Sequence, residues 1–205
     1  MRGFMKLDIP DGDFAGYIFD LDGTLIDTMP LHYRAWDAAM RAAGMLGTLD
    51  VELFYRLGGV PTLRVAALFG EHYGLRLDPL KVFHEKEEFF SALKAEITLI
   101  GATVEFARRV AATHPLAIAS GGPRVIVRQS LAVSGLAPLF GTVVSADDVG
   151  PTRGKPEPDM FLLAAERMGV PAERCLVFED AEPGIQGALA AGMMVVRVSS
   201  RAMAR

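Results

Sequence analysis

The chain alternates short apolar runs with longer stretches in which apolar residues recur every three or four positions. "AGYIFD" (15–20), "PLAIAS" (115–120), "GTVVSADD" (141–148), "RCLVFED" (174–180) and "MMVVRV" (193–198) read as five buried strands. Between them, "ATVEFARRVAA", "PRVIVRQSLAVSG", "PDMFLLAAERMG" and "EPGIQGALAAG" carry the helical period. Strands alternating with helices predict an α/β fold with a parallel, Rossmann-like sheet. Residues 30–97 break the alternation. A helix is expected from Pro30 to just before Gly44, two short ones flank the Gly58–Gly59 turn, and "DPLKVFHEKEEFFSALKAEI" reads as a longer charged helix. The expected organisation is therefore an α/β core from residues 1–29 and 98–205, with a small helical domain, 30–97, inserted after the first strand.

Composition narrows the class. The 205 residues are 51% hydrophobic, enough to bury a sizeable core. The net charge of −4, with no Lys/Arg run, argues against nucleic acid, which demands basic patches. The one cysteine, Cys175, excludes an internal disulfide and points to a reducing compartment. The N-terminal "MRGFMKLDIPDGDF" lacks the apolar run of a secretion signal, and no stretch has the length of a membrane span. A cytoplasmic protein without membrane partners, monomeric, is the expectation.

The chemistry lies at the strand ends. Four of the five predicted strands close on polar residues: Asp20; Ser120; Ser145 with Asp147 and Asp148; Glu179 with Asp180. In a parallel sheet the carboxyl ends share one rim, where ligands bind. Asp20, Asp22, Glu179 and Asp180 would crowd that rim with carboxylates, which repel unless a cation joins them. Oxygen-only donors suit a hard ion, Mg²⁺ where a phosphate also binds. Ser120, Gly121 and Gly122 form a strand-to-helix turn whose free N–H groups favour an anion. Lys155, ahead of another helix, could neutralise a phosphoryl group. Metal, carboxylates, lysine and N–H donors together suggest phosphoryl transfer. The bland alternative for "DLDGT" is an Asp-Gly turn, and for Glu179 and Asp180 a charged helix start.

"DLDGT", "ASGG", the lysine of "GKPEPD" and "VFEDAEPGIQGALAAGM" occur in the order of the four motifs of the haloacid dehalogenase superfamily, which the chain resembles from Tyr17 to about Val198. "DTMPLHYRAW" and "GGVPT" are similar to its β-phosphoglucomutase-like branch, and "FEDAEPGIQ" to bacterial sugar-phosphate phosphatases of the fructose-1-phosphate kind. The resemblance implies Asp20 as nucleophile, taking the phosphoryl group as an aspartyl-phosphate, and Asp22 as general acid and then base. It implies Mg²⁺ on Asp20, the backbone carbonyl of Asp22 and Asp180, with Glu179 a ligand or a support. Ser120, Gly121 and Lys155 would bind the phosphoryl group, Gly23 would let the chain turn beside it, and residues 30–97 would be a cap that closes over the leaving group. His32, Trp36, Thr62, Arg64 and Lys86 are candidate leaving-group contacts. The expected activity is Mg²⁺-dependent hydrolysis of a small sugar or polyol phosphomonoester. Phosphomutases of the branch carry a lysine and an arginine where this chain has Gly58 and Thr62, which favours hydrolysis over the mutase alternative. A non-catalytic phospholigand-binding protein is the alternative from another class.

Overall fold

The computed structural model describes residues 7–58, 60 and 62–199. Gly59 and Pro61, in the predicted turn between the two short helices, lie outside the described residues. From its N-terminal side the chain forms β1 (Gly16–Phe19) and a two-residue strand β2 (Ile26–Asp27). Four helices follow: α1 (Met29–Ala42), α2 (Val51–Arg56), α3 (Thr62–Tyr73) and α4 (Pro79–Leu93). Asp50 and Asp78 cap α2 and α4 by accepting backbone N–H bonds, and Pro30 and Pro79 sit in the first turns of α1 and α4, where no N–H is missed. A second short strand, β3 (Thr98–Leu99), pairs antiparallel with β2. This pair was not visible in the sequence; two residues are too few to carry a period.

Strands and helices then alternate as expected: α5 (Gly101–Val110), β4 (Leu116–Ala119), α6 (Arg124–Val133), β5 (Thr142–Val144), α7 (Ala146–Val149), α8 (Asp159–Met168), β6 (Cys175–Glu179), α9 (Glu182–Ala190) and β7 (Met194–Arg197). The predicted strand 141–148 is corrected at its end. It stops at Val144, because Ser145 and Asp148 form a reciprocal capping box that starts α7.

The sheet is parallel, in the order β5-β4-β1-β6-β7. The strand pleat sorts its side chains. Tyr17, Phe19, Leu116, Ile118, Leu176 and Phe178 pack with α5 and α6 on one face; Ile18, Ala117, Ala119, Cys175 and Val177 pack with α8 and α9 on the other. Phe19 stacks on Phe178 at 4.6 Å between ring centroids. The four helices of the insertion have an apolar cluster of their own, built on Trp36, Met40, Phe54, Phe69 and Val82. β1 lies between β4 and β6, and the chain leaves it first on one side and later on the other, so the switch point of the sheet falls on Asp20.

Candidate active site

Asp20 follows β1, Ser120 follows β4, Glu179 ends β6 and Asp180 follows it, so parallel pairing brings all four to one edge. The register sets Phe19 beside Ile118 and Phe178, which puts Asp20 level with the ends of both neighbouring strands. Lys155 enters from the loop before α8. Its Nζ donates to Asp20 Oδ1 at 2.6 Å and to Glu179 Oε2 at 2.7 Å, with all three side chains buried. Burial works against the ammonium, but the two carboxylates outweigh it and hold the Lys155 pKa above the ordinary lysine range.

One ammonium does not balance three carboxylates. Asp20, Glu179 and Asp180 each place a carboxylate oxygen within 4.8 Å of the others'. Burial first, and then Glu179, push Asp180 up to about 7; the same causes raise Asp20 well above the usual range, against the pull of Lys155. Both oxygens of Glu179 are engaged, Oε2 by Lys155 and Oε1 by the N–H of Ala181 at 3.1 Å. Asp180 accepts a long bond from Thr24 Oγ1, 3.4 Å. The backbone makes room for these groups. Gly23 has φ +89°, and a Cβ on it would lie 2.2 Å from Asp180 Oδ2; a Cβ on Gly184 would lie 2.1 Å from Glu179 Oε2. An all-oxygen donor set with surplus negative charge, cradled by glycines, fits a hard divalent cation such as Mg²⁺. Asp20 and Asp180 offer the oxygens least committed elsewhere.

Asp22, two residues on, has different company. Thr28 Oγ1 donates to its Oδ1 at 2.6 Å, and His32 Nε2 lies 3.4 Å from the same oxygen. Burial would raise the Asp22 pKa, but His32, Thr28 and the nearby Lys86 outweigh it and lower the value. His32 is held below its ordinary pKa by burial and by Lys86. Its ring stacks on Phe90 of α4 at 4.0 Å. The bond from Thr28 was missed in the sequence.

A cavity of about 490 Å³ joins these groups to the helical insertion. Asp20, Asp22, Ser120, Gly121, Lys155, Glu179 and Asp180 line its floor; His32, Trp36, Thr62 and Lys86 line it from the insertion. Ser120 Oγ accepts from Gly122 N–H at 3.2 Å, in the turn that opens α6. Trp36 also packs edge-on against Phe69. Arg64 is placed elsewhere and does not line the cavity. α3 starts at Thr62, which puts Arg64 on its exposed face, 3.9 Å from Glu71. Arg56, Glu87 and Arg197 line the cavity and were not singled out from sequence. Glu87 sat in a charged run that reads as a solvated face. Asp147 and Asp148 stay out of the cavity and bind Arg124 and Ser145.

The family model for haloacid dehalogenase-like hydrolases matches residues 14–192. Fructose-1-phosphate phosphatase YqaB of Escherichia coli is 39% identical over 185 residues, covering 90% of this chain and 96% of that protein. Hexitol phosphatase A of Escherichia coli is 31% identical over 190 residues, 91% of this chain and 84% of that protein. Among solved structures, CbbY from Rhodobacter sphaeroides in complex with phosphate superposes with a TM-score of 0.76 at 30% identity, over 89% of this chain and 84% of that one.

Proposed function

The chain belongs to the haloacid dehalogenase-like hydrolases and is a phosphoric monoester hydrolase; within that class we propose that it cleaves the monophosphate ester of a small sugar or polyol, with Mg²⁺, through an aspartyl-phosphate. The observation that carries this reading is Lys155 bridging Asp20 and Glu179 beside Asp180, on the same cavity wall as the Ser120–Gly122 turn.

Asp20 is the nucleophile: its carboxylate attacks phosphorus and the ester oxygen leaves. Lys155 and Ser120, with the N–H groups at the start of α6, hold the phosphoryl oxygens and spread the transition-state charge. Asp20 and Asp180 would hold Mg²⁺, with Glu179 orienting Lys155; when bound, the ion offsets the surplus carboxylate charge and that of the phosphoryl group. Asp22 serves the leaving group. Its lowered pKa keeps it ionised for the second half-reaction, in which it takes a proton from water attacking the aspartyl-phosphate. A phosphate dianion beside it raises that pKa, which lets it deliver a proton to the departing alkoxide in the first half. The helices of residues 30–97 act as a cap, and the β2–β3 pair is the joint across which it meets the core.

Hydrolysis is favoured over the mutase reading by the walls of the insertion. Thr62 and Gly58 line the cavity without charge, and Arg64 faces away from it. Phosphate release from a panel of hexose and hexitol monophosphates, with and without Mg²⁺, tests the reading. Wild-type protein should release phosphate only with the metal, and Asp20→Asn should abolish turnover in a protein with unchanged circular dichroism. Isomerisation of a hexose phosphate without net phosphate release would sink it.

A further inference from the structure

Resting on the phosphatase reading, we propose that Glu87 selects the leaving group: it binds the hydroxyls of an uncharged polyol chain and repels any substrate that carries a second phosphate. Lys86 and Glu87 are adjacent in α4, where neighbouring side chains normally diverge by about 100°. Both nevertheless turn inward to the cavity, with side chains only 4% and 12% exposed, and Lys86 Nζ donates to Glu87 Oε1 at 2.8 Å. The other oxygen, Glu87 Oε2, is buried and has no hydrogen-bond partner among the described residues. A buried carboxylate oxygen without a donor is costly, and a small rotation of the Glu87 carboxylate toward the cavity would let a ligand hydroxyl supply the missing donor.

The pairing also changes what Lys86 can do. Its charge is opposed by Glu87 at contact distance, and its head lies 5.9 Å from the Trp36 ring and 5.2 Å from the Phe90 ring. It keeps N–H donors for a hydroxyl oxygen but is not a free cation for a second phosphate. Met29, Trp36 and Val65 line the same space and suit the C–H surface of a short carbon chain. Arg56 lines the cavity too, but it is exposed on α2, where water screens it. A second phosphate held in this space would lie beside the Glu87 carboxylate, and like charges repel.

The test measures kcat/KM with Mg²⁺ for a hexose monophosphate, a hexitol monophosphate and the matching hexose bisphosphate, in wild type and in Glu87→Gln. Wild type should prefer the monophosphates by at least about 100-fold. Glu87→Gln, which keeps the size and a bond to Lys86, should narrow that preference by about tenfold or more, through a lower KM for the bisphosphate and a higher KM for the hexitol phosphate. A wild type that turns over the bisphosphate as well as the monophosphates overturns the proposal, whether or not the variant folds. So does a folded Glu87→Gln protein with an unchanged preference. Absence of Mg²⁺-dependent release from every monophosphate is the distinct result that strikes the phosphatase reading, and this proposal falls with it.

Discussion

Asp148 ties the turns at the carboxyl edge of the sheet together, and Asp148→Asn measures how much that is worth. Its Oδ2 accepts from Ser145 N–H at 2.9 Å and from Ser145 Oγ at 2.7 Å; its Oδ1 accepts from Arg124 at 3.0 Å and Arg167 at 2.8 Å. Burial would raise its pKa, but Ser145 and Arg167 outweigh it and hold the value at about 2, against an ordinary 3.8. At 1.36 kcal/mol for each unit, this depression of a little under two units is worth about 2 kcal/mol of folding stability. The folded pKa is the lower one. The contribution is therefore complete above the unfolded value and is lost as pH falls toward the folded value, with about half remaining near pH 3. Urea unfolding of wild type and Asp148→Asn, from pH 7 down to pH 3, should show a gap of about 2 kcal/mol that shrinks toward acid. Arg124 opens α6, whose first turn faces the cavity, and Ala146 N–H donates to Gly122 O at 3.2 Å, so the variant should also raise KM for a phosphomonoester. A variant as stable as wild type at pH 7, or a gap unchanged at pH 3, would refute the reasoning.

Gly184→Ala should lower kcat/KM for a phosphomonoester by about tenfold or more in a soluble protein, because its Cβ would sit 2.1 Å from Glu179 Oε2, the oxygen that holds Lys155. Wild-type activity with the alanine would mean that Glu179 is not needed where it lies. Mg²⁺ should raise the thermal midpoint of wild-type protein through linkage and should do so far less in Asp180→Asn; equal shifts in the two proteins would remove Asp180 from the ion's ligands. Phe90→Ala removes a fully buried ring that stacks on His32, so denaturant unfolding should record a loss of about 3–5 kcal/mol. A loss under about 1 kcal/mol would show that the junction between α1 and α4 closes over the gap.

The parts of this molecule that were legible in sequence are those encoded within one element. An apolar run ending on a polar residue announces a buried strand with a polar tip, and parallel pairing then gathers the tips without further information; Asp20, Ser120, Glu179 and Asp180 follow from that alone. The differences between residues that look alike were not legible, because they depend on partners distant in the chain. Asp20 and Asp22 are near neighbours in "DLDGT", yet one faces Lys155, 135 positions away, and the other turns to Thr28 and His32 at the start of the insertion. Arg64 seemed placed for the leaving group until the start of α3 at Thr62 fixed which way its helix faces turn. In the charged run of α4, Lys86 was singled out but its neighbour Glu87 was not, for the same reason. Charge in a helix predicts exposure only when nothing apolar or aromatic waits on the other side, and here Trp36 and Phe90 supply faces against which the Lys86 head settles, with Glu87 as its counter-ion. Specificity was hidden in sequence because it is written in such inward-turned pairs. Their meaning resides in the space between helices, whereas the strand-end residues were visible because the sheet leaves their positions no freedom.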